Sequence, residues 1–177
     1  MASIRSCGVI AAMLLTAGLP AAALGQAKTS HLDAPARKPG WWEFKATTDS
    51  GQDFGTLGLC VGPRSEAAYS AFDQILDAIN LGDGTCPKRD FVRTADGWSF
   101  DLACDAGLAA GPGGGPATNQ GTITGDLQTG YVIHETLAMA GATNTGNIAA
   151  AWTGDCPAGR SEGDEDVGGG TVVNVLR

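Results

Sequence analysis

The side chains best suited to acid–base chemistry in this sequence are the adjacent His134 and Glu135. A histidine and a carboxylate can serve as a general base and the group that orients it, provided that they touch. Both residues lie in an alternating stretch that predicts a β-strand, and neighbouring residues of a strand point to opposite faces. No nucleophile pairs with them, and no Ser-His-Asp set stands out. The sequence therefore nominates no catalytic residue, and an enzyme is the least favoured class.

Metal and phosphate sites are also disfavoured by spacing. None of the four cysteines after residue 27 lies in a C-x-x-C pair, and both histidines are far from them, which argues against zinc and against a redox dithiol. The stretch Glu162-Gly163-Asp164-Glu165-Asp166 offers oxygen ligands for calcium but departs from the EF-hand spacing, so a solvated tail is favoured. The glycine-rich segment 111–116 lacks the lysine of a phosphate-binding loop. We expect no metal and no cofactor.

Residues 1–27 have the pattern of a secretory signal peptide. Arg5 precedes an apolar run from Cys7 to Leu24, and Gly25-Gln26-Ala27 fits the cleavage rule for signal peptidase. A transmembrane anchor is disfavoured because Pro20 interrupts the run, and Cys7 stands at the wrong end of it for a lipoprotein. We expect cleavage after Ala27 and a mature protein in the periplasm or outside the cell, with no stable membrane insertion.

The mature chain of 150 residues (177 minus 27) is long enough for one domain with a real core. Its formal charge is −9, because the leader removes one arginine and no acid from a chain of charge −8. That charge argues against nucleic acid and against anionic membrane surfaces as partners.

An even number of cysteines in an exported chain predicts a disulfide framework. Four cysteines allow three connectivities. Two alternating runs joined by Ala95-Asp96-Gly97 separate Cys86 from Cys104, and a hairpin there brings the two cysteines nearly opposite one another. We therefore pair Cys86 with Cys104, which leaves Cys60 for Cys156.

Apolar alternation predicts a mainly β fold: an antiparallel sheet of about seven strands, curved or half-barrel, packed by one α-helix. Residues 28–38 are expected to form an N-terminal arm, residues 39–160 the β domain and residues 161–177 an acidic, glycine-rich tail. Within the tail, residues 172–176 are either an edge strand or a frayed end. The helix is predicted from Pro63 to about Gly82, and loops are predicted over 105–117 and 141–147. Strands are predicted over 41–48, 54–61, 88–94, 98–104, 120–128, 131–140 and 148–156.

Several short motifs occur together in this chain. They are Lys38-Pro39-Gly40-Trp41-Trp42-Glu43, Cys60-Val61-Gly62-Pro63, Cys86, the strand ending at Cys104, Gly121-Thr122-Ile123-Thr124-Gly125 and Gly154-Asp155-Cys156-Pro157-Ala158-Gly159. Over roughly residues 38–160 the chain resembles the exported bacterial family filed as domain of unknown function 3617. The resemblance implies a small, exported, cysteine-bridged β domain with no assigned activity. Two features depart from the family pattern. The central glycine-rich loop contains more small residues than we expect for the family, and the methionine-rich strands of many members are mostly absent from this chain.

A set of aromatic residues is predicted to point inward from the sheet, and could enclose a small apolar molecule or lipid. The set is Trp42, Phe44, Trp98, Phe100, Tyr131 and Trp152. The same side chains can also be plain core. A binding module of the cell envelope is therefore the first hypothesis for a function that the sequence leaves unknown, and a structural or protein-interaction role in the periplasm is the alternative.

Overall fold

The computed structural model describes residues 35–77, 85–107 and 115–177. The expected signal peptide, most of the expected N-terminal arm, the expected end of the helix and the middle of the glycine-rich loop lie outside the described residues. Within the described ranges, the chain forms nine β-strands and two short α-helices.

The helices are α1 (Pro63–Ala68) and α2 (Ala71–Asp77). The strands are β1 (Gly40–Thr48), β2 (Asp53–Val61), β3 (Thr85–Arg93), β4 (Gly97–Asp105), β5 (Pro116–Gly125), β6 (Gly130–Met139), β7 (Ala142–Gly154), β8 (Asp164–Asp166) and β9 (Val172–Asn174).

All nine strands belong to one antiparallel sheet in the order β3-β4-β5-β6-β7-β1-β2-β8-β9. Among the described strands β3 and β9 are the two ends, so the sheet is open. The predicted mainly β, antiparallel fold is confirmed. The count rises from about seven to nine because residues 161–177, expected as a tail, contribute β8 beside β2 and β9 beside β8.

One face of the sheet carries the hydrophobic core, and we call it the core face; the opposite face is the outer face. Alternation along β1 buries Trp42 and Phe44 on the core face and leaves Glu43 exposed. The helices cover one end of this face: the Phe72 ring of α2 stacks on Phe91 at 4.2 Å between centroids. The core face therefore has one end closed by helices.

The predicted single helix is wrong, because the chain breaks at Tyr69 and Ser70. The backbone N–H of Asp73 donates to Ser70 Oγ over 3.2 Å, and the Ser70 N–H donates to Asp73 Oδ2 over 2.8 Å. This reciprocal pair is a capping box, which starts a new helix at α2. The helical spacing of apolar residues that predicted one helix continues through both α1 and α2.

The predicted connection over 141–147 is also wrong. Ala140 and Gly141 both have positive φ, 53° and 79°, as the two central residues of a tight hairpin turn require. The strand β7 therefore begins at Ala142 and pairs with β6 from there to Ala151. In the same way β5 begins at Pro116, inside the predicted loop 105–117.

Two disulfides join Cys86 to Cys104 and Cys60 to Cys156. The first lies within the β3–β4 hairpin. The second joins β2 to the segment that follows β7. In the sheet, β1 lies between β2 and β7. Cys60 lies between Leu59 and Val61, which both belong to the core, so its side chain is on the outer face.

A buried ion pair attaches the segment before β1 to α1. Arg37 is 2% exposed, its Nε donates to Glu66 Oε2 over 2.7 Å and its Nη2 donates to the Tyr69 carbonyl over 2.6 Å. Buried charges are tolerated when they are paired and hydrogen-bonded in this way. The pair fixes the helical cover against the start of the sheet.

Candidate functional site

The six aromatic residues predicted to bind a ligand are close together in the structure. Five of them are buried in the core: Trp42, Phe44, Trp98, Phe100 and Tyr131. Trp152 is half-buried and packs against that core. Their rings contact one another and the helices, as in the 5.6 Å pair of Trp42 and Tyr131. None of the six lines the cavity described next.

A cavity of about 310 Å³ lies on the core face at the end away from the helices. We call it the Glu135 cavity. Ala46 and Thr48 of β1, Glu135 and Leu137 of β6, Ile148 of β7 and Phe54 of β2 form most of its wall. Tyr131 marks the helical end of β6, since its hydroxyl donates to Gln74 Oε1 of α2. Glu135 lies four residues further along, about 13 Å at the rise of a strand.

Strand register brings the wall together. Ala46 is paired with Ile148 across β1 and β7, and Leu137 with Asn144 across β6 and β7. Glu135 is flanked by glycines on both neighbouring strands, Gly121 of β5 and Gly146 of β7. The missing side chain at Gly146 and the short side chain of Ala46 leave the space that forms the cavity.

The two glycines are also needed for close packing of the backbone. A Cβ atom at Gly146 would lie 2.5 Å from the Thr47 carbonyl oxygen, and one at Gly121 would lie 2.7 Å from the Phe100 ring. Glycine inside a strand is a recognised sign of close backbone approach or of a ligand. Gly121 and Gly146 are thus a signal in the sequence from which this site could have been predicted.

One wall residue is exposed far more than a core position would be. The Phe54 side chain is 60% exposed although it lines the Glu135 cavity. Leu137 and Ile148 on the opposite wall are half-buried and pack against the core. The cavity thus has an exposed apolar side chain, Phe54, on one side and half-buried apolar side chains on the other.

Glu135 is the acidic group of the cavity wall. It is half-buried, and the Asn119 side-chain amide donates to its Oε2 over 2.7 Å. Burial raises the pKa of Glu135 and outweighs the opposite effect of the Asn119 hydrogen bond. Asn119 itself is fully buried, and its Oδ1 has no hydrogen-bond partner in the structure.

His134 lies on the outer face, away from this cavity. Its side chain is exposed, and Nδ1 is 3.0 Å from Asn147 Oδ1. The Asn147 amide in turn donates to Asp49 Oδ1 over 3.2 Å. His134 and Glu135 are therefore on opposite faces, as strand alternation predicts, and they do not act on a common group.

The acidic segment near the C-terminus makes contacts inside the protein. Glu162 Oε1 accepts from the Ser65 N–H over 2.9 Å, Asp164 accepts from the Asn174 amide over 2.7 Å, and Asp166 accepts from Arg160 over 2.7 Å. In residues 35–77, 85–107 and 115–177 no group of three His, Cys, Asp or Glu side chains is arranged to hold a metal ion. Glu162 attaches this segment to α1, whereas Asp164 and Asp166 make contacts within the segment itself.

Within the described ranges, neither α1 nor α2 is long and apolar enough to cross a bilayer.

Together these features define a class of protein: a disulfide-bridged domain built on one antiparallel sheet, with short helices at one end of the core face and a small cavity at the other. The chain belongs to the family described as protein of unknown function, DUF3617, whose profile matches residues 37–156. The match runs from the buried Arg37 to Cys156 and confirms the resemblance drawn from the sequence motifs. No curated protein and no solved structure matches the chain.

Proposed function

We propose that this protein is an exported binding module that holds a small, largely apolar molecule in the Glu135 cavity. The observation that carries the proposal is the combination of an open cavity of about 310 Å³ with the exposed Phe54 at its wall. Ligand sites are typically concave, mostly apolar and of this size or larger, with a few polar groups that orient the ligand. At roughly 30 Å³ for each water in the liquid, the cavity has room for about ten non-hydrogen atoms.

Export is part of the proposal, and it rests on the signal-peptide pattern of residues 1–27. The two disulfides are compatible with it, since disulfides form and persist in oxidising compartments outside the cytoplasm.

The test is native mass spectrometry of the mature protein purified gently from an exporting host, before and after denaturation. We expect an excess mass in the wild type that denaturation removes. Ala46→Phe places a large side chain in the cavity wall and should abolish that excess mass, whereas Ala149→Phe on the exposed outer face should retain it. A bare mass for the wild type in repeated preparations, or equal retention by Ala46→Phe, would contradict the proposal.

A protein-interaction role is a second candidate, and one observation favours it. The end strand β9 leaves Val172 and Val173 exposed at 39% and 45%. An unpaired strand at the end of a sheet can accept an extended segment of another protein by backbone pairing. Chemical crosslinking in the exporting host would capture such a partner, and Val173→Lys should then reduce the crosslinked product.

A further inference from the structure

We infer that the ligand of the Glu135 cavity carries a hydrogen-bond donor, an amine or a hydroxyl, on an otherwise apolar body, and that the Glu135 carboxyl group receives that donor. This inference rests on the proposed function and names the class of ligand. Glu135 is the binding residue, and Asn119 is a positioning residue that acts through it.

The first argument is the arrangement of polar atoms at this end of the cavity. Asn119 Nδ2 holds Glu135 Oε2 at 2.7 Å, which fixes the carboxyl group against the buried part of the sheet. Among the described residues, Asn119 supplies the hydrogen bond to Glu135, and it does so at Oε2, so Oε1 is left as a free acceptor. Asn119 is fully buried and does not line the cavity. Glu135 Oε1 is therefore the carboxyl oxygen that a ligand can reach.

The second argument is the cost of leaving such atoms unpaired. A buried polar atom without a hydrogen bond is unfavourable by roughly 1–3 kcal/mol, and native proteins rarely keep one without a reason. Glu135 is half-buried, and its Oε1 is not among the buried atoms that lack a partner, so solvent reaches this atom in the empty cavity. A purely apolar ligand that covered Oε1 would impose the penalty, whereas a ligand that brings an O–H or N–H to it would not.

The third argument is charge. The residues that line the cavity include one acid, Glu135, and no lysine or arginine. The other polar wall residues, such as Thr48, Gln52 and Asn144, are neutral. An anionic head group, such as the carboxylate of a fatty acid, would meet a carboxyl group with no neighbouring cation to compensate. An amine or hydroxyl meets a complementary group.

The apolar part of the ligand has a defined place. Leu137 and Ile148 are on the same face as Glu135, and Phe54 forms the accessible wall. A ligand with its donor at Glu135 can extend a short hydrocarbon chain along Leu137 and Ile148 toward Phe54. A chain of about eight carbons with one head-group atom matches the room for about ten non-hydrogen atoms.

The experiment is calorimetric titration of the mature protein at pH 7 with n-octylamine, 1-octanol and sodium octanoate, which share one carbon chain. We expect n-octylamine and 1-octanol to bind the wild type about tenfold more tightly than octanoate, the change that a single charge-assisted hydrogen bond gives. In Glu135→Gln the preference of n-octylamine over octanoate should fall to about twofold or less. His134→Gln, the adjacent residue on the outer face, should keep the wild-type preference and is the matched control.

The outcomes separate the two levels of the proposal. If none of the probes binds the wild type, or if Ala46→Phe binds them equally well, the proposed cavity function fails. If all three bind with equal affinity and Ala46→Phe abolishes binding, the cavity function holds and the donor inference is overturned. An unchanged head-group preference in Glu135→Gln overturns it too. Glu135→Met, which removes both acceptors at similar side-chain length, takes the place of Glu135→Gln if that variant does not fold.

Discussion

Glu135 is a half-buried acid whose carboxyl group is on the core face. Acids such as Asp126 on the surface have their pKa lowered by hydrogen bonds from backbone N–H groups of Gln128 and Thr129. Burial does the reverse to Glu135 and raises its pKa. A group whose pKa is higher in the folded state holds its proton there over a range in which the unfolded chain has lost it.

The contribution of Glu135 to stability should therefore be full below its unfolded pKa of about 4.3 and should be lost as the pH rises through its higher folded pKa. We expect Glu135→Gln to remove this dependence, so that the variant gains stability relative to the wild type between about pH 4 and pH 7. The measurement is the free energy of unfolding by urea at several pH values in that range. The control is Glu43→Gln on exposed β1 surface, which should keep the wild-type slope; an identical slope in Glu135→Gln would contradict the prediction.

No motif in the sequence pointed to Glu135 as a binding residue. Alternation was enough to show that the side chains of Glu135 and His134 point apart. Alternation also placed Glu135 on the apolar face with Leu137, and His134 on the polar face, but it did not show that a cavity lies beside Glu135. The flanking glycines Gly121 and Gly146 are the signal that identifies the position, and they become neighbours of Glu135 only when the register of three strands is known.

Strands with regular alternation were predictable and helix boundaries were not. Trp98, Phe100 and Leu102 alternate without a break, and β4 has almost the predicted bounds. The division between α1 and α2 depends on one serine, Ser70. Its side-chain hydroxyl accepts the hydrogen bond of the Asp73 backbone N–H in place of a helical carbonyl oxygen. An apolar stripe continues through such a break, so periodicity alone does not detect it.

The β6–β7 turn was hidden for a related reason. Ala140 has a φ of 53°, a conformation that costs an L-residue with a side chain roughly 1 kcal/mol and that sequence rules reserve for glycine or asparagine. The hairpin forms at this turn because the flanking strands pair over ten residues each, from Gly130 with Ala151 to Met139 with Ala142. Long-range pairing overrides the local preference.

Ala140→Gly should therefore stabilise the protein by about 0.5–1 kcal/mol, because glycine adopts positive φ without a steric penalty. Ala138→Gly, two residues earlier and inside β6, should destabilise it by a similar amount, since glycine weakens a strand. Thermal unfolding of the two variants beside the wild type measures both effects. Equal destabilisation by both substitutions would argue against the positive-φ turn.

The two disulfides differ in what they hold together. Cys86 and Cys104 are 18 residues apart within one hairpin, whereas Cys60 and Cys156 are 96 residues apart and enclose β3 to β7. A chain-entropy estimate assigns about 3 kcal/mol to the shorter loop and about 4–5 kcal/mol to the longer one. The long bridge also spans nearly the whole family match, from β2 to its last residue.

We expect the double variant Cys60→Ala with Cys156→Ala to lose more stability than Cys86→Ala with Cys104→Ala, by about 1–2 kcal/mol. Urea unfolding of both double variants under oxidising conditions measures the difference, and ligand probes bound to the folded state must be absent because they would add stability. The opposite ranking would show that packing around each bridge, rather than loop length, decides its contribution.

The strand order has a consequence for the timing of folding. Strands β3 to β7 pair with their neighbours in sequence, so each can join the sheet as soon as it is made. The first hairpin, β1 with β2, finds its place only when β1 meets β7, more than 90 residues later, in pairs such as Phe44 with Ala150. Until that moment β1 pairs only with β2, and contacts so distant along the chain form slowly. We therefore expect the β1–β7 pairing, which joins the first hairpin to the rest of the sheet, to form late, and Cys60 to approach Cys156 at that step.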